Sequence, residues 1–303
     1  MGTFEEDQNM EIIEEDMRWF YEAEGGEWHM FGVNPTDQCP LTNWLIEVEY
    51  HINPNGCMDY RIADCIYRLD FSVMKQINLS TGVQRPIRRR CSTIGHRSTD
   101  GKPIPTPSLW ETDLPCQIIS LDSGTQECQG VVKMFAKTIP DASIRSIRRI
   151  QNIPLWESFC RKKAELTQIK KMPMEERWLF HGTPHRNIQA ICTSNFDLKF
   201  AGSNGSVYGK GIYFARNASY ALKFCGGQGK CNGITPSKTI ILARVLVGEF
   251  TLGDRNLGEA PSKDRTNTSF YDSCVDRFSN PNIFVVFDRN QVYPEYLIDF
   301  DLL

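Results

Sequence analysis

Two short runs, Trp178-Leu179-Phe180-His181-Gly182-Thr183 and Tyr208-Gly209-Lys210-Gly211-Ile212-Tyr213-Phe214-Ala215, bound the stretch on which the reading of this chain turns. An apolar run ending in His-Gly predicts a strand whose end sets an imidazole beside bare backbone. Asn187-Ile188-Gln189-Ala190-Ile191-Cys192 then has the pattern of a helix, and a glycine- and serine-rich loop at 201–205 leads into a second short strand. A histidine on one strand end, a tyrosine on another and glycines between them can wall a slot for a flat polar ligand, since glycine exposes main-chain N–H and C=O groups that a side chain would screen. Taken singly, such a histidine is most often a packed or surface residue, and such glycines mark turns. The joint pattern is the specific signal.

Leu-Phe-His-Gly-Thr, followed by Tyr-Gly-Lys-Gly-Ile-Tyr-Phe-Ala, then Asp272-Ser273-Cys274-Val275 and Phe284-Val285-Val286-Phe287-Asp288, resembles the catalytic domain of the poly(ADP-ribose) polymerase family. The resemblance covers roughly the last 190 residues. It implies the ADP-ribosyltransferase fold, two packed sheets with flanking helices and an NAD slot between the sheets. Residue by residue, it implies that His181 holds a ribose hydroxyl, that the Gly182 main chain pairs with the nicotinamide carboxamide, and that Thr183 sits by the ribose. Tyr213 would stack on the nicotinamide ring, with Phe224 where the second stacking aromatic of the family falls.

Two departures set the expected chemistry. The family's usual serine for the carboxamide falls at Ala221, which removes one hydrogen bond worth ~0.5–1.5 kcal/mol and predicts weaker NAD binding. The third member of the family's His-Tyr-Glu set falls at Ile283, which can neither polarise a ribose hydroxyl nor activate one for chain extension. His-Tyr-Ile is the pattern of the mono-ADP-ribosyltransferases of this family. Breaking the nicotinamide–ribose bond resembles glycoside cleavage, but the leaving group departs neutral and needs no strong acid. Clamping and orienting the dinucleotide, worth roughly 7–11 kcal/mol, becomes the main task.

With 303 residues the chain is long enough for two domains, and its 41% hydrophobic and 23% charged content is that of an ordinary soluble protein. A net charge of -3 exerts no global pull on nucleic acid, and the basic runs at 85–90 and 145–149 read as solvated faces that would also suit a phosphate-bearing partner. Eleven scattered cysteines without a Cys-x-x-Cys pair give no zinc signature and point to free thiols in a reducing compartment, nuclear or cytoplasmic. Cys225 and Cys231, the one near pair, have no histidine close by in sequence. No stretch is long and apolar enough to span a bilayer, and the acidic N-terminus does not read as a signal peptide.

Residues 1–16 are acidic and expected to be flexible. Over 17–91, aromatics crowd around Glu24-Gly25-Gly26, a hairpin signature; a helix with Leu45, Ile46, Val48 and Tyr50 follows, ended by Asn53-Pro54-Asn55-Gly56; strands are expected over 58–62 and 66–71, and a basic tail closes the unit. A half-barrel of strands around one helix is the natural packing. Trp19, Trp28 and Glu47, with Tyr50, resemble the WWE module, which implies recognition of ADP-ribose within or ending poly(ADP-ribose). Trp28, Tyr67, Gln76 and Arg85 or Arg88 would be its pocket, an aromatic wall for adenine with cations and amides for the phosphates. The proline-punctuated segment 92–110 reads as a linker, and 111–303 as the catalytic domain.

Within that domain 125–139 predicts an amphipathic helix, while Ile144, Ile147 and Ile150 fit helix or strand equally. Asn152 with Pro154 predicts a capped helix start, and 239–247 and 283–287 predict buried strands, giving an α+β fold. His181 and His185 are separated by Gly-Thr-Pro, which breaks the helix a zinc pair needs, so no metal is expected. Tyr208-Gly209-Lys210-Gly211 fails the phosphate-loop spacing, and Cys274 reads equally as a surface turn. The expected activity is transfer of one ADP-ribose from NAD to protein side chains, the chain itself included. The competing expectation is an inactive adaptor working through its WWE module; nucleic-acid binding has no recognisable module behind it.

Overall fold

The computed structural model describes residues 15–23, 25–32, 41–93, 104, 106–107, 110, 114–200, 206–226, 237–264, 266 and 268–302. Nearly all of the acidic segment 1–16, most of the 92–110 linker, the loop 201–205 and Cys231 lie outside them. The chain divides into two compact units, each taken here by itself.

The N-terminal unit is built from 15–93 and 121–140. Its strands β1 (Glu15–Glu22), β2 (Trp28–Met30), β3 (Cys57–Ile62), β4 (Cys65–Asp70), β5 (Lys75–Asn78) and β6 (Gln84–Thr93) bond in the order β2-β1-β6-β5-β4-β3. Gly25 and Gly26, both at positive φ, turn β1 into β2 as the hairpin reading requires. The helix α1 (Asn43–Ile52) starts where the Thr42 hydroxyl accepts the Leu45 N–H at 3.3 Å. Its buried face meets Trp19, Phe31, Leu69, Phe71 and Ile87 on one side of the sheet. There the Trp19 indole donates to Glu47 at 2.8 Å, and the same carboxylate takes Arg89 at 3.0 Å and His51 at 2.9 Å. Burial alone would raise the pKa of Glu47, but His51 and Arg89 outweigh it and hold the carboxyl well below its usual range.

The basic run 85–90 is not a tail but part of β6, pairing with β5 at 84–86 and with β1 at 87–93. Its arginines alternate, Arg89 turning in to Glu47 and Arg88 and Arg90 turning out, and a period of two hides among like charges. The helix α2 (Gln126–Ala136), capped by Thr125, lies in the stretch the sequence assigns to the catalytic domain. Its residues group with the N-terminal unit: Trp44 of α1 donates to the Gln126 carbonyl at 3.0 Å and lies over Gly130, where a Cβ would come within 2.7 Å of the indole nitrogen.

Among the described residues the C-terminal unit holds nine strands, β7 (Cys116–Ser120), β8 (Ala142–Asn152), β9 (Glu176–Gly182), β10 (Ile212–Ala215), β11 (Lys238–Leu246), β12 (Phe250–Leu252), β13 (Ser273–Val275), β14 (Ile283–Val286) and β15 (Val292–Leu302). They bond in the order β12-β13-β14-β10-β9-β11-β15-β8-β7. The expected two packed sheets are joined in one bonded order that is pinched in the middle: β9 and β10 share a single registered pair, Phe180 with Ala215, whereas β9 and β11 share seven. The flanking helices are α3 (Ile153–Lys170), α4 (His185–Ser194) and the short α5 (Ala218–Ala221). The Asn152 side chain accepts the Leu155 N–H at 3.2 Å and starts α3, as Asn-x-Pro predicts.

The ambiguous isoleucines lie in a strand. Between Ser146↔Asp299 and Ile144↔Phe300 the residue Arg145 has no partner, a bulge that returns Ile144 and Ile147 to one face at a spacing of three. Across the centre of the sheet, Arg244 binds Glu295 through two nitrogens at 2.7 and 2.9 Å and Glu176 at 2.9 Å, and the Trp178 indole donates to Glu295 at 2.7 Å. This buried network ties β9, β11 and β15 together behind the site and fixes β9, which carries His181.

Candidate active site

The pinch between β9 and β10 creates the site. Past Phe180 the edge of β9 that faces β10 no longer pairs with it, leaving His181 and Gly182 at an opening in the sheet. His181 Nδ1 lies 2.8 Å from the Tyr213 carbonyl oxygen, which can only accept, so Nδ1 carries the proton. Phe196 and Phe214 hold the ring at centroid distances of 4.8 and 5.5 Å. Burial pushes its pKa down to about 4, the backbone contact only partly opposing this. At neutral pH the imidazole is therefore uncharged, and Nε2 is a bare acceptor suited to a donated hydroxyl proton. It is not suited to acting as an acid.

Gly182 is required by its neighbour. A Cβ there would fall within the carbonyl of Ala221, so strand β9 and helix α5 touch backbone to backbone. Ala221 is 2% exposed at that contact. Thr183 is buried, its hydroxyl accepting from the Asn187 amide at 2.9 Å at the start of α4. Tyr213 is clamped at its far end, the phenol donating to the Gly209 carbonyl at 2.8 Å and accepting the Tyr208 N–H at 2.9 Å. Its ring is thereby fixed while its hydroxyl is spent on the backbone, and burial raises its pKa. Phe224 lies on the turn after α5, its ring 5.6 Å from that of Tyr220.

Ile283 opens β14 opposite Ala215 and is 4% exposed. It packs with Cys274 and Val285 against Tyr208, Tyr213, Tyr220, Leu257 and Phe287. Its N–H and that of Asn282 both donate to Asp276 Oδ1, at 3.0 and 2.9 Å. That carboxylate serves the backbone rather than standing in for a missing glutamate side chain. Cys274 is wholly buried, its thiol pushed up to about 11, and acts as packing. Among the described residues no group of three or more His, Cys, Asp or Glu side chains converges as metal ligands would.

The five residues expected to bind ADP-ribose in the N-terminal unit separate by sheet face. Tyr60, Tyr67, Gln76 and Arg85 lie on the α1 side: the two tyrosines stack at 5.6 Å, the Gln76 amide donates to the Tyr60 hydroxyl, and Arg85 donates to the Gln76 oxygen and covers the Tyr21 ring at 4.3 Å. Trp28 and Arg88 point to the other side and pair with each other, the guanidinium 3.5 Å above the indole. Register explains the split, because Arg85 and Arg88 stand three apart on a strand and must face oppositely. Tyr21 and Tyr60 were missed. Tyr21 stands two residues after Trp19, and Tyr60 stands opposite Tyr67, so strand periodicity alone could have found both.

The chain is similar to known proteins over most of its length. The family model for the poly(ADP-ribose) polymerase catalytic domain matches residues 125–263, and that for the WWE domain matches 17–89. Protein mono-ADP-ribosyltransferase PARP11 of Mus musculus is 42% identical over 312 residues, covering 96% of this chain and 94% of that protein. The Homo sapiens protein of the same name is 42% identical over 318 residues, covering 98% and 94%. The chain belongs to the poly(ADP-ribose) polymerase family. A longer Homo sapiens relative, protein mono-ADP-ribosyltransferase PARP12, is 33% identical across 95% of this chain and 44% of its own length.

In the chain His181 meets the Tyr213 carbonyl, Tyr213 packs against the Ile283 cluster, and Gly182 meets Ala221 of α5, with Phe224 on the turn that follows. The match begins at residue 125, so it includes α2, which packs with the N-terminal unit. Tyr208, quoted in the Tyr-Gly-Lys-Gly run but given no role, and Tyr220, which the sequence did not single out, are further members of the Ile283 corner. Tyr208 shows itself only through its backbone bond to the Tyr213 hydroxyl, and Tyr220 only through packing.

Proposed function

We propose that this chain is an NAD-dependent protein mono-ADP-ribosyltransferase whose WWE module binds ADP-ribose. The observation that carries the reading is the corner around Ile283: the imidazole and the clamped phenol are in place, while the position of the family glutamate is a buried isoleucine among apolar and phenolic groups. NAD is the substrate, and the residues fit it. His181 Nε2 accepts a proton from a ribose hydroxyl, and the Gly182 main chain meets the carboxamide at the open edge of β9. The fixed Tyr213 ring offers one face to the pyridinium, and Thr183 closes the ribose side. An ionised carboxylate of the acceptor protein attacks the ribose carbon, forming the ester C–O bond. The C–N bond breaks with its electron pair going to the ring nitrogen, so neutral nicotinamide leaves and no proton need move. A second round would need a ribose hydroxyl as nucleophile, and nothing at Ile283 can deprotonate one.

In the N-terminal unit, Tyr60, Tyr67, Gln76, Arg85 and Tyr21 supply the stacking rings, the amide and the cation that an ADP-ribose unit needs. Trp28 and Arg88 belong to the opposite face. The eight cysteines whose side chains are described are free thiols, which supports a reducing compartment, nuclear or cytoplasmic. No helix of the described residues is long and apolar enough to cross a membrane. Labelled NAD incubated with the purified chain and run on a denaturing gel tests the reading: a discrete labelled band is expected, and a ladder would refute single transfer. Absence of label from both the wild type and Tyr213→Ala, with ADP-ribose still titrating saturably, would make the chain an adaptor.

A further inference from the structure

The corner around Ile283 holds a phenol that the transfer reading does not use. Strand β10 hands the chain to the single turn α5, which is pressed onto β9: Ala218 is wholly buried, Ala221 is 2% exposed, and the Ala221 carbonyl meets Gly182. Tyr220, one residue before that contact, packs its ring against the group of Ile283, Cys274 and Val285. The short α5 therefore reaches from the open edge at Gly182 to the position of the family glutamate. The Tyr220 ring is held further by Phe224, at a centroid distance of 5.6 Å, and by the Lys223 ammonium, 5.0 Å from its centroid. Its N–H donates to the Asn217 carbonyl at 3.1 Å, which anchors the turn that carries it.

The hydroxyls of this corner differ. That of Tyr213 is spent, donating to the Gly209 carbonyl and accepting the Tyr208 N–H. Among the described residues no hydrogen-bond partner meets the Tyr220 hydroxyl, and it is not sealed from solvent: the buried side-chain atoms without a partner belong to Glu49, Thr167 and Asn282. A half-buried phenol with a fixed ring and an open hydroxyl loses little entropy when a ligand arrives, and it has a bond to offer. Burial pushes its pKa above the ordinary value of 10, and the nearby Tyr208 phenol and Asp276 carboxylate push the same way. At neutral pH it keeps its proton, so it donates but does not act as a base. Tyr208, the third phenol of the corner, reaches it from the loop before β10 rather than from the element that touches Gly182.

We propose that the Tyr220 hydroxyl donates a hydrogen bond to a hydroxyl of the nicotinamide ribose, supplying the polar contact that Ile283 lacks. This rests on the transferase reading for its ligand and adds to it a residue that binds the sugar. Two tasks that one carboxylate can perform together are thereby separated. A protonated phenol holds the ribose, whereas extension needs a group that removes a hydroxyl proton, so sugar binding is kept while chain growth is not.

The test follows nicotinamide release by the full chain from NAD and from two analogues, one lacking the 2′-hydroxyl and one the 3′-hydroxyl of the nicotinamide ribose. Tyr220→Phe keeps the ring, so its melting temperature should match that of the wild type. It should lower kcat/KM for NAD about three- to tenfold. For one of the two analogues, wild type and Tyr220→Phe should agree within about twofold, because the partner of the lost hydroxyl is already gone. A loss of the same size on all three dinucleotides would give Tyr220 a packing role and overturn the proposal. So would an unchanged kcat/KM for NAD, or the one-analogue pattern appearing with Tyr208→Phe instead. If the wild type releases no nicotinamide, the transferase reading fails separately. The dinucleotides are then stable in the mixture, and their affinities by calorimetry decide Tyr220 through the same comparison.

Discussion

At the scale of single residues, the site is governed by what each side chain is prevented from doing. His181 gives its Nδ1 proton to a carbonyl and sits in an environment that holds its pKa at about 4, so it stays a neutral acceptor across the physiological range. The sign is that of a depressed base. The unfolded chain takes the proton more readily, so the folded site is unaffected above the ordinary value of 6.5 and loses His181 as an acceptor only as pH falls toward 4. Nicotinamide release is therefore expected to be flat in kcat/KM from pH 7 to about 5 as far as this group is concerned, and a fall centred near 6.5 would show a freely titrating imidazole. Gly182→Ala places a methyl group in the Ala221 carbonyl, a backbone contact that cannot swing aside. It should cost about 1–3 kcal/mol in thermal stability and abolish NAD binding by calorimetry. Ile283→Glu should not create a chain-forming enzyme: among Cys274, Val285 and three tyrosines the new carboxyl would be desolvated and protonated, so the labelled product should remain a discrete band.

At the scale of elements, the Trp19–Glu47–Arg89–His51 cluster joins β1, α1 and β6. Its carboxylate is held ionised, so it contributes stability that is complete above the ordinary carboxylate value of 4.5 and is lost as pH falls below it. Glu47→Gln should lower the melting temperature of the N-terminal unit at pH 7 and flatten its acid dependence, followed by near-ultraviolet circular dichroism of the tryptophans. A wild-type melting temperature independent of pH between 3 and 6 would count against the network. Here the sequence was legible in one respect and opaque in another. Trp19 and Glu47 stand out as residue types, but the pairing that makes them a structural joint rather than a ligand contact depends on α1 lying across β1. Likewise Ile144, Ile147 and Ile150 carry a spacing of three that the bulge at Arg145 reconciles with one strand face for Ile144 and Ile147, while Ile150, with no bulge before it, turns to the other face.

At the scale of the whole molecule, the N-terminal unit is discontinuous in sequence, since 121–140 belongs with 15–93. A fragment ending at 93 lacks the helix that covers Trp44. It should melt at least about 4 °C below one that runs to 140, compared by calorimetry, because about 1 kcal/mol moves a domain of this size that far. Local pattern settled much of the rest. The His-Gly strand end, the Asn152 cap and the aromatic hairpin each lie within a few residues, and steric preference and periodicity act at that range, so these elements could be read from the chain. The family, the two modules and the isoleucine at the glutamate position were legible through the resemblance of short contiguous motifs. What the chain alone did not determine were relations between distant segments. These include the pinch that leaves β9 open at Gly182, the carbonyl of Ala221 pressed against that glycine, the face on which each arginine of β6 emerges, and the unit to which α2 belongs. Register, bulges and backbone approach are set by partners far along the sequence, and only the folded chain brings them together.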